Sequence, residues 1–234
     1  MISIVQLTHE NRGQVRRCLP TIARLAARPE VVEWIVLDNA STDGTGDELE
    51  RMARRWPKLR VIRSPENLGC GGGRNVIWRE AVGELVLSLD SDVEALDPSA
   101  LDLMVEDLAR PGIGIVGEHG GWVRPDWSWT VEAPRAHVGP VAIVCGFAQL
   151  FCRREVDTWV QRPEYGPYWL DDSEFCMQLL STGLGGWVGQ YGLRHSWSGT
   201  NGRVEAERLE AWQAFKSRWQ PERPDVHPPA KGPG

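Results

Sequence analysis

This 234-residue sequence has no cysteine pairs at metal-finger or redox spacing, no long apolar runs and no excess of positive charge. Each absence removes a class of function. The five cysteines are Cys18, Cys70, Cys145, Cys152 and Cys176, an odd number at irregular intervals. A disulfide scaffold or zinc finger is therefore excluded, and a reduced cytoplasmic protein is expected. No segment approaches the ~18 apolar residues that a membrane span needs. The apolar stretch at residues 2–7 is too short for a secretory signal and has no basic leader before it. At most, the protein would sit at a membrane periphery. A formal net charge of -6 gives no electrostatic footprint for general nucleic-acid binding. The pairs Arg16-Arg17, Arg54-Arg55 and Arg153-Arg154 either touch anions locally or form solvated surface. There is no internal repeat.

What is present is a regular alternation. Ile2–Leu7, Glu33–Leu37, Leu59–Arg63 and Leu85–Leu89 read as buried strands, because their apolar runs are short and nearly continuous. Helical spacing of Val15, Leu19, Ile22 and Leu25 fills the first interval, with Pro20 marking a kink or restart. A second helix spans about residues 46–56 and a third about 74–82, preceded by a glycine-rich loop at 64–74. This order predicts an α/β fold with a mostly parallel sheet and right-handed crossovers. Asp97-Pro98 opens a further helix to about Ala109, and Ile113–Val116 is a short strand. Then the pattern becomes irregular. Residues 122–129 are aromatic and mixed, Val141–Phe151 reads as one apolar strand, Asp171–Ser181 as a helix, Trp187–Tyr191 as a late strand and Glu205–Trp219 as a last helix. Residues 1–117 and 118–219 read as two halves of one domain, with 220–234 a flexible, proline-rich tail.

Leu85–Asp92 is the organising stretch. Its apolar run stops at two carboxylates, Asp90 and Asp92, where a ligand of an open α/β sheet would bind. Hard oxygen ligands there suit Mg²⁺ or Mn²⁺, although Asp-x-Asp also caps helices and forms turns. Asp38 ends the second strand in the same way. It can accept a hydrogen bond from a base or ribose, or simply start an Asx turn. The run Asn67-Leu68-Gly69-Cys70-Gly71-Gly72-Gly73-Arg74 fails the dinucleotide fingerprint, because Arg74 stands where a small residue is required. It leaves an anion-binding helix start beside Arg74, or a tight loop. Asp171-Asp172-Ser173-Glu174 suits a helix amino terminus through the dipole, and could equally supply a general base. His195 is either structural or a ligand that meets Asp92. Trp122, Trp127, Trp129, Trp169, Trp187 and Trp197 are either core or a surface for sugar rings.

In this order the segments resemble the family 2 glycosyltransferases of GT-A fold. The resemblance covers residues 2–200 and rests on Ile2–Asn11, Val36–Thr45, Asn67–Asn75, Asp90-Ser91-Asp92, the stretch from Gly146 to Arg154, Asp171–Glu174 and His195. It implies a Rossmann-like sandwich with a smaller acceptor-side region. It also implies an inverting transfer of sugar from a nucleotide-diphosphate donor (UDP, GDP or dTDP) to a carbohydrate, lipid-linked or other hydroxyl acceptor. By position, Thr8, Glu10 and Asp38 would meet the base and ribose, and Arg74 would lie near the phosphates. Asp92, with Asp90 and His195, would hold Mn²⁺ or Mg²⁺, and Asp172 would be the base. Asp171 departs from the usual Glu before that base. The Gln-x-x-Arg-Trp signature of processive synthases is only partly echoed by Lys216-Ser217-Arg218-Trp219, so one sugar per event is expected. A sugar nucleotidyltransferase and a non-catalytic carbohydrate-binding protein are the rival readings.

Overall fold

The structure is a computed structural model and describes residues 1–158, 165–166, 169–196, 205–222 and 226–227. Trp197 lies outside them. In chain order the first elements are β1 (Ile2–Thr8), α1 (Arg12–Ala26), β2 (Val31–Asp38), α2 (Thr45–Ala53), β3 (Leu59–Arg63), α3 (Gly69–Glu80), β4 (Leu85–Asp90), β5 (Val93–Ala95), α4 (Ala100–Leu108) and β6 (Ile113–Gly117). Short strands follow: β7 (Gly120–Val123), β8 (Thr130–Glu132), β9 (Gly139–Val141), β10 (Ile143–Val144) and β11 (Ala148–Cys152). After a 3₁₀ turn at Arg153–Thr158 come α5 (Asp171–Ser181), β12 (Gly185–Val188), β13 (Leu193–His195) and α6 (Glu205–Trp219).

The main sheet runs β3-β2-β1-β4-β11-β6-β12-β9. Its first four strands are parallel, as the strand–helix alternation predicts. β11 then enters antiparallel between β4 and β6, so the second half of the chain completes the sheet rather than forming a lobe of its own. Two small sheets, β10-β7-β8 and β13-β5, flank it. Alternation along the strands explains the layering. On one face Ile4, Val36, Leu87 and Leu150 pack with Val15, Leu19 and Ile22 of α1 and with Leu101 and Met104 of α4. On the other, Val5, Ile35, Val86 and Phe151 pack with Ile77 and Trp78 of α3 and with Phe175 and Leu179 of α5. Helices on both faces of a mostly parallel sheet define a mixed α/β fold.

The structure departs from the sequence reading in places, and it selects one of the two readings of the tryptophans. The glycine-rich run is helical from Gly69 onward rather than a loop. Asn39 organises that start, because its Oδ1 accepts the Leu68 N–H at 2.9 Å and its amide donates to the Gly69 carbonyl at 3.1 Å. Gly73 then lets the helix lie against Leu7, where a Cβ would collide. Tertiary contact thus overrides poor helix propensity. The apolar stretch Val141–Phe151 is three strands, interrupted around Gly146, whose backbone groups are used by the site described below. The aromatic stretch is largely core: Trp127 is buried in a bend with φ 56, and it clusters with Trp212, Phe215 and Trp219 of α6. Within the expected tail, Val226 is buried in the same cluster and its carbonyl accepts the Val123 N–H at 3.0 Å, so this part is packed. Among the described residues no helix is long and apolar enough to cross a membrane.

Candidate active site

β4 ends at Asp90, and a turn carries the chain through Asp92 into β5. β13 pairs antiparallel with β5, placing His195 opposite Val93 and therefore beside Asp92. One ligand atom each from Asp90, Asp92 and His195 lies within 4.8 Å of the others. His195 Nε2 stands 3.2 Å from Asp92 Oδ1. The imidazole is set from two sides. Phe147 stacks on it with centroids 4.8 Å apart and planes 7° from parallel. Glu118 accepts the Tyr191 and Leu193 N–H groups at 2.9 and 3.0 Å, which fixes the path of β13. Burial disfavours the imidazolium, but the hydrogen bond with Asp92 and the charges of Asp92 and Asp90 outweigh it, so the His195 pKa is raised. Two carboxylate oxygens and one imidazole nitrogen in a single cluster fit a divalent cation of the Mg²⁺ or Mn²⁺ type, manganese tolerating the nitrogen more readily.

Arg74, buried on α3, joins this cluster to the start of α5. Its guanidinium donates to Asp90 Oδ1 at 2.8 Å, to Asp171 Oδ2 and to the Gly146 carbonyl at 3.0 Å. Burial opposes its charge, yet Asp171 and Asp90 hold its pKa well above the usual arginine value. Arg74 is thus a strut between two acidic motifs, with much of its donor capacity committed to the protein. The same Gly146 donates its N–H to Asp172 Oδ2 at 2.9 Å. Ser173 N–H meets Asp172 Oδ1 at 2.6 Å. Burial, and then the neighbouring Asp171, raise the Asp172 pKa, while Arg74 and the two N–H groups pull it back. A carboxylate so placed is an acceptor of protons at an adjustable pKa. Asp90 is raised by burial and by Asp92, with Arg74 opposing.

The strand ends of the first half hold the remaining sequence candidates. Thr8 and Asp38 are register partners at the carboxyl ends of β1 and β2, both buried. Asp38 accepts the Ser41 N–H at 3.0 Å, and Arg63 Nε lies 3.5 Å from its other oxygen. The Thr8 hydroxyl is buried and has no hydrogen-bond partner among the described residues. An orphaned buried hydroxyl beside a buried carboxylate is costly unless a ligand completes it. Glu10 is exposed at φ 48, and its carboxylate accepts from the Thr42 N–H and hydroxyl at 2.6 and 3.0 Å. It braces its own loop. Glu118 does not stand out in the sequence, and Asn39, Gly146 and Phe147 fall inside segments of the resemblance without any role there. Each acts through a partner 20 or more residues away, so no local spacing announces it.

Comparison with other proteins bears on the family and the fold. The family model described as glycosyl transferase family 2 matches residues 3–154. Glycosyltransferase AglE of Haloferax volcanii is 21% identical over 131 residues, 56% of this chain and 43% of that protein. The chain spans less than half the length of the curated relatives it matches. Among solved structures, mannosyltransferase PcManGT from Pyrobaculum calidifontis, in complex with GDP-Man and Mn²⁺, aligns with a TM-score of 0.65 at 23% identity. The alignment covers 81% of this chain and 54% of that one. GalNAc-T7 with UDP, GalNAc and Mn²⁺ aligns with a TM-score of 0.74 at 12% identity, over 92% and 47% of the two chains. These likenesses establish the GT-A fold. With a family model covering most of the chain on that fold, this protein belongs to glycosyl transferase family 2.

Proposed function

We propose that this chain carries the donor-binding and catalytic core of an inverting glycosyltransferase. One observation carries the reading. Arg74 ties the Asp90-Asp92-His195 cluster to Asp171 and, through Gly146, to Asp172. A charge-stabilising site and a base thus share one junction. Asp90, Asp92 and His195 would hold Mn²⁺ or Mg²⁺. The cation would offset the negative charge of the leaving diphosphate as a Lewis acid. The donor is a nucleotide-diphosphate sugar with UDP, GDP or dTDP as carrier. Thr8 and Asp38 receive its base and ribose, and Glu10 shapes the adjoining loop.

Asp172 accepts the proton of the acceptor hydroxyl as that oxygen bonds to the anomeric carbon. The bond from that carbon to the diphosphate oxygen breaks, and the electron pair leaves with the diphosphate. A single displacement of this kind inverts the anomeric centre. Burial and Asp171 raise the pKa of this base, and the positive charge of Arg74 opposes them. Incubation with UDP-glucose, GDP-mannose and dTDP-glucose plus Mn²⁺ tests the reading. Release of a nucleoside diphosphate supports it. Release of pyrophosphate would make the chain a nucleotidyltransferase, and sugar binding without donor turnover would make it a non-catalytic binder.

A further inference from the structure

Glu174 lies two residues beyond Asp172 in the first turn of α5 and is only 1% exposed. Two residues along a helix point about 200° apart. Asp172 therefore points toward Gly146, and Glu174 points to the opposite side, into the interior. Its Oε2 accepts the Tyr165 hydroxyl at 2.8 Å and the Trp219 indole N–H at 2.7 Å. Its Oε1 accepts the Gln178 amide at 2.9 Å, and Arg218 Nε stands 3.4 Å away. Arg218 also lies over the Trp219 ring at 4.6 Å. A buried carboxylate persists only when so paired, and its groups are then locked in place.

The entry to α5 needs such a lock. Leu170, just before the helix, sits at φ 60 without a side-chain cap. For a branched residue this is a strained conformation that the surrounding structure must impose. The cleft side of the turn is held by Arg74 and Gly146, and the back by Glu174 and the end of α6.

We infer that Glu174 is a positioning residue for the base. Through Arg218 and Trp219 it makes α6 part of the catalytic machinery, although α6 lies more than thirty residues beyond Asp172 in sequence. The inference rests on Asp172 being that base. It is tested by steady-state nucleoside diphosphate release from the donor panel with Mn²⁺, on Glu174→Gln, Asp172→Asn and the double variant.

The expected result is a kcat about tenfold or more lower for Glu174→Gln with donor KM unchanged, since a misplaced group about 1 Å away can cost 10²-fold. In the Asp172→Asn background Glu174→Gln adds no further loss. Trp219→Phe removes one donor to Glu174 and shows a smaller loss of kcat in the same direction, should Glu174→Gln fail to fold. Unchanged kcat in the folded variants, with only a lower Tm, overturns the inference while Asp172 stands as base. Wild-type turnover by Asp172→Asn overturns the base assignment itself.

Discussion

The two acidic motifs of this chain are built on opposite principles. Asp90-Ser91-Asp92 comes off the end of a buried parallel strand, so strand direction alone delivers its carboxylates to the cleft. Only His195 must be brought from afar, by the pairing of β13 with β5. Asp171-Asp172-Ser173-Glu174 opens a helix, and helical rotation sends its three carboxylates to three different partners. Asp171 pairs with Arg74, Asp172 takes the Gly146 N–H, and Glu174 takes the end of α6. A strand end places a ligand set locally. A helix start places one group in the cleft only because its neighbours are held elsewhere.

The sharpest way to break this contrast is Asp172→Asn. It keeps the shape and removes the base, so sugar transfer should fall by about 10²–10⁴-fold with donor affinity near normal. A loss of donor affinity in titration calorimetry would erase the division of labour between the motifs. Asp92→Ala should do the reverse and weaken Mn²⁺-dependent donor affinity by at least about tenfold, the loss seen when a metal site loses even an outer partner. Unchanged affinity would remove the cation from the strand-end motif.

Gly146→Ala should damage both at once. Its Cβ would lie 3.0 Å from the Arg74 guanidinium and 3.1 Å from the Asp172 Cβ. Overpacking of this kind costs about 1–3 kcal/mol, read as a lower denaturation midpoint. An unshifted midpoint would show that the junction has slack.

The pH dependence sharpens the contrast further. Burial and Asp171 raise the Asp172 pKa, and the base must be ionised to work. Turnover should therefore fall on acidification at a pH above the ordinary carboxylate value of 3.8. The stability contribution of the same group has the opposite sense. The folded state holds the proton more tightly, so this contribution is full below the unfolded pKa and is lost as pH rises through the folded one. A turnover limb at the ordinary value would mean that Arg74 and the two N–H groups cancel the burial completely. The smallest effect is expected from Phe147→Ala. It removes the ring stacked on His195, worth about 0.5–1.5 kcal/mol for an aromatic pair, and should modestly weaken Mn²⁺ binding by titration.

Much of this was legible because it is local. The strand–helix alternation of the first 90 residues follows from short apolar runs and helical spacing, which depend on neighbours a few positions away. Asp38, Asp90 and Asp92 stand out because each ends such a run. The resemblance of ordered segments then pointed to His195 and Asp172 as members of the site. It could not say that Gly69–Gly73 would be helical, since glycine runs favour loops unless another segment packs close. Nor could it resolve the tryptophans. Whether a ring faces a core or a sugar depends on what lies across from it, and here Trp127, Trp212 and Trp219 share one buried cluster.

The sequence by itself determined the layered α/β class, the carboxyl-end position of Asp38 and Asp90, and the acidic start of α5. Only the tertiary structure decided that β11 would insert antiparallel between β4 and β6, bringing Gly146 and Phe147 to the cleft. It also decided that Arg74 would bind two carboxylates and that Glu174 would turn away toward α6. The physical reason is range. Periodicity and strand ends are written within a few residues, whereas the partner of a buried charge is chosen by whichever distant segment the fold packs against it.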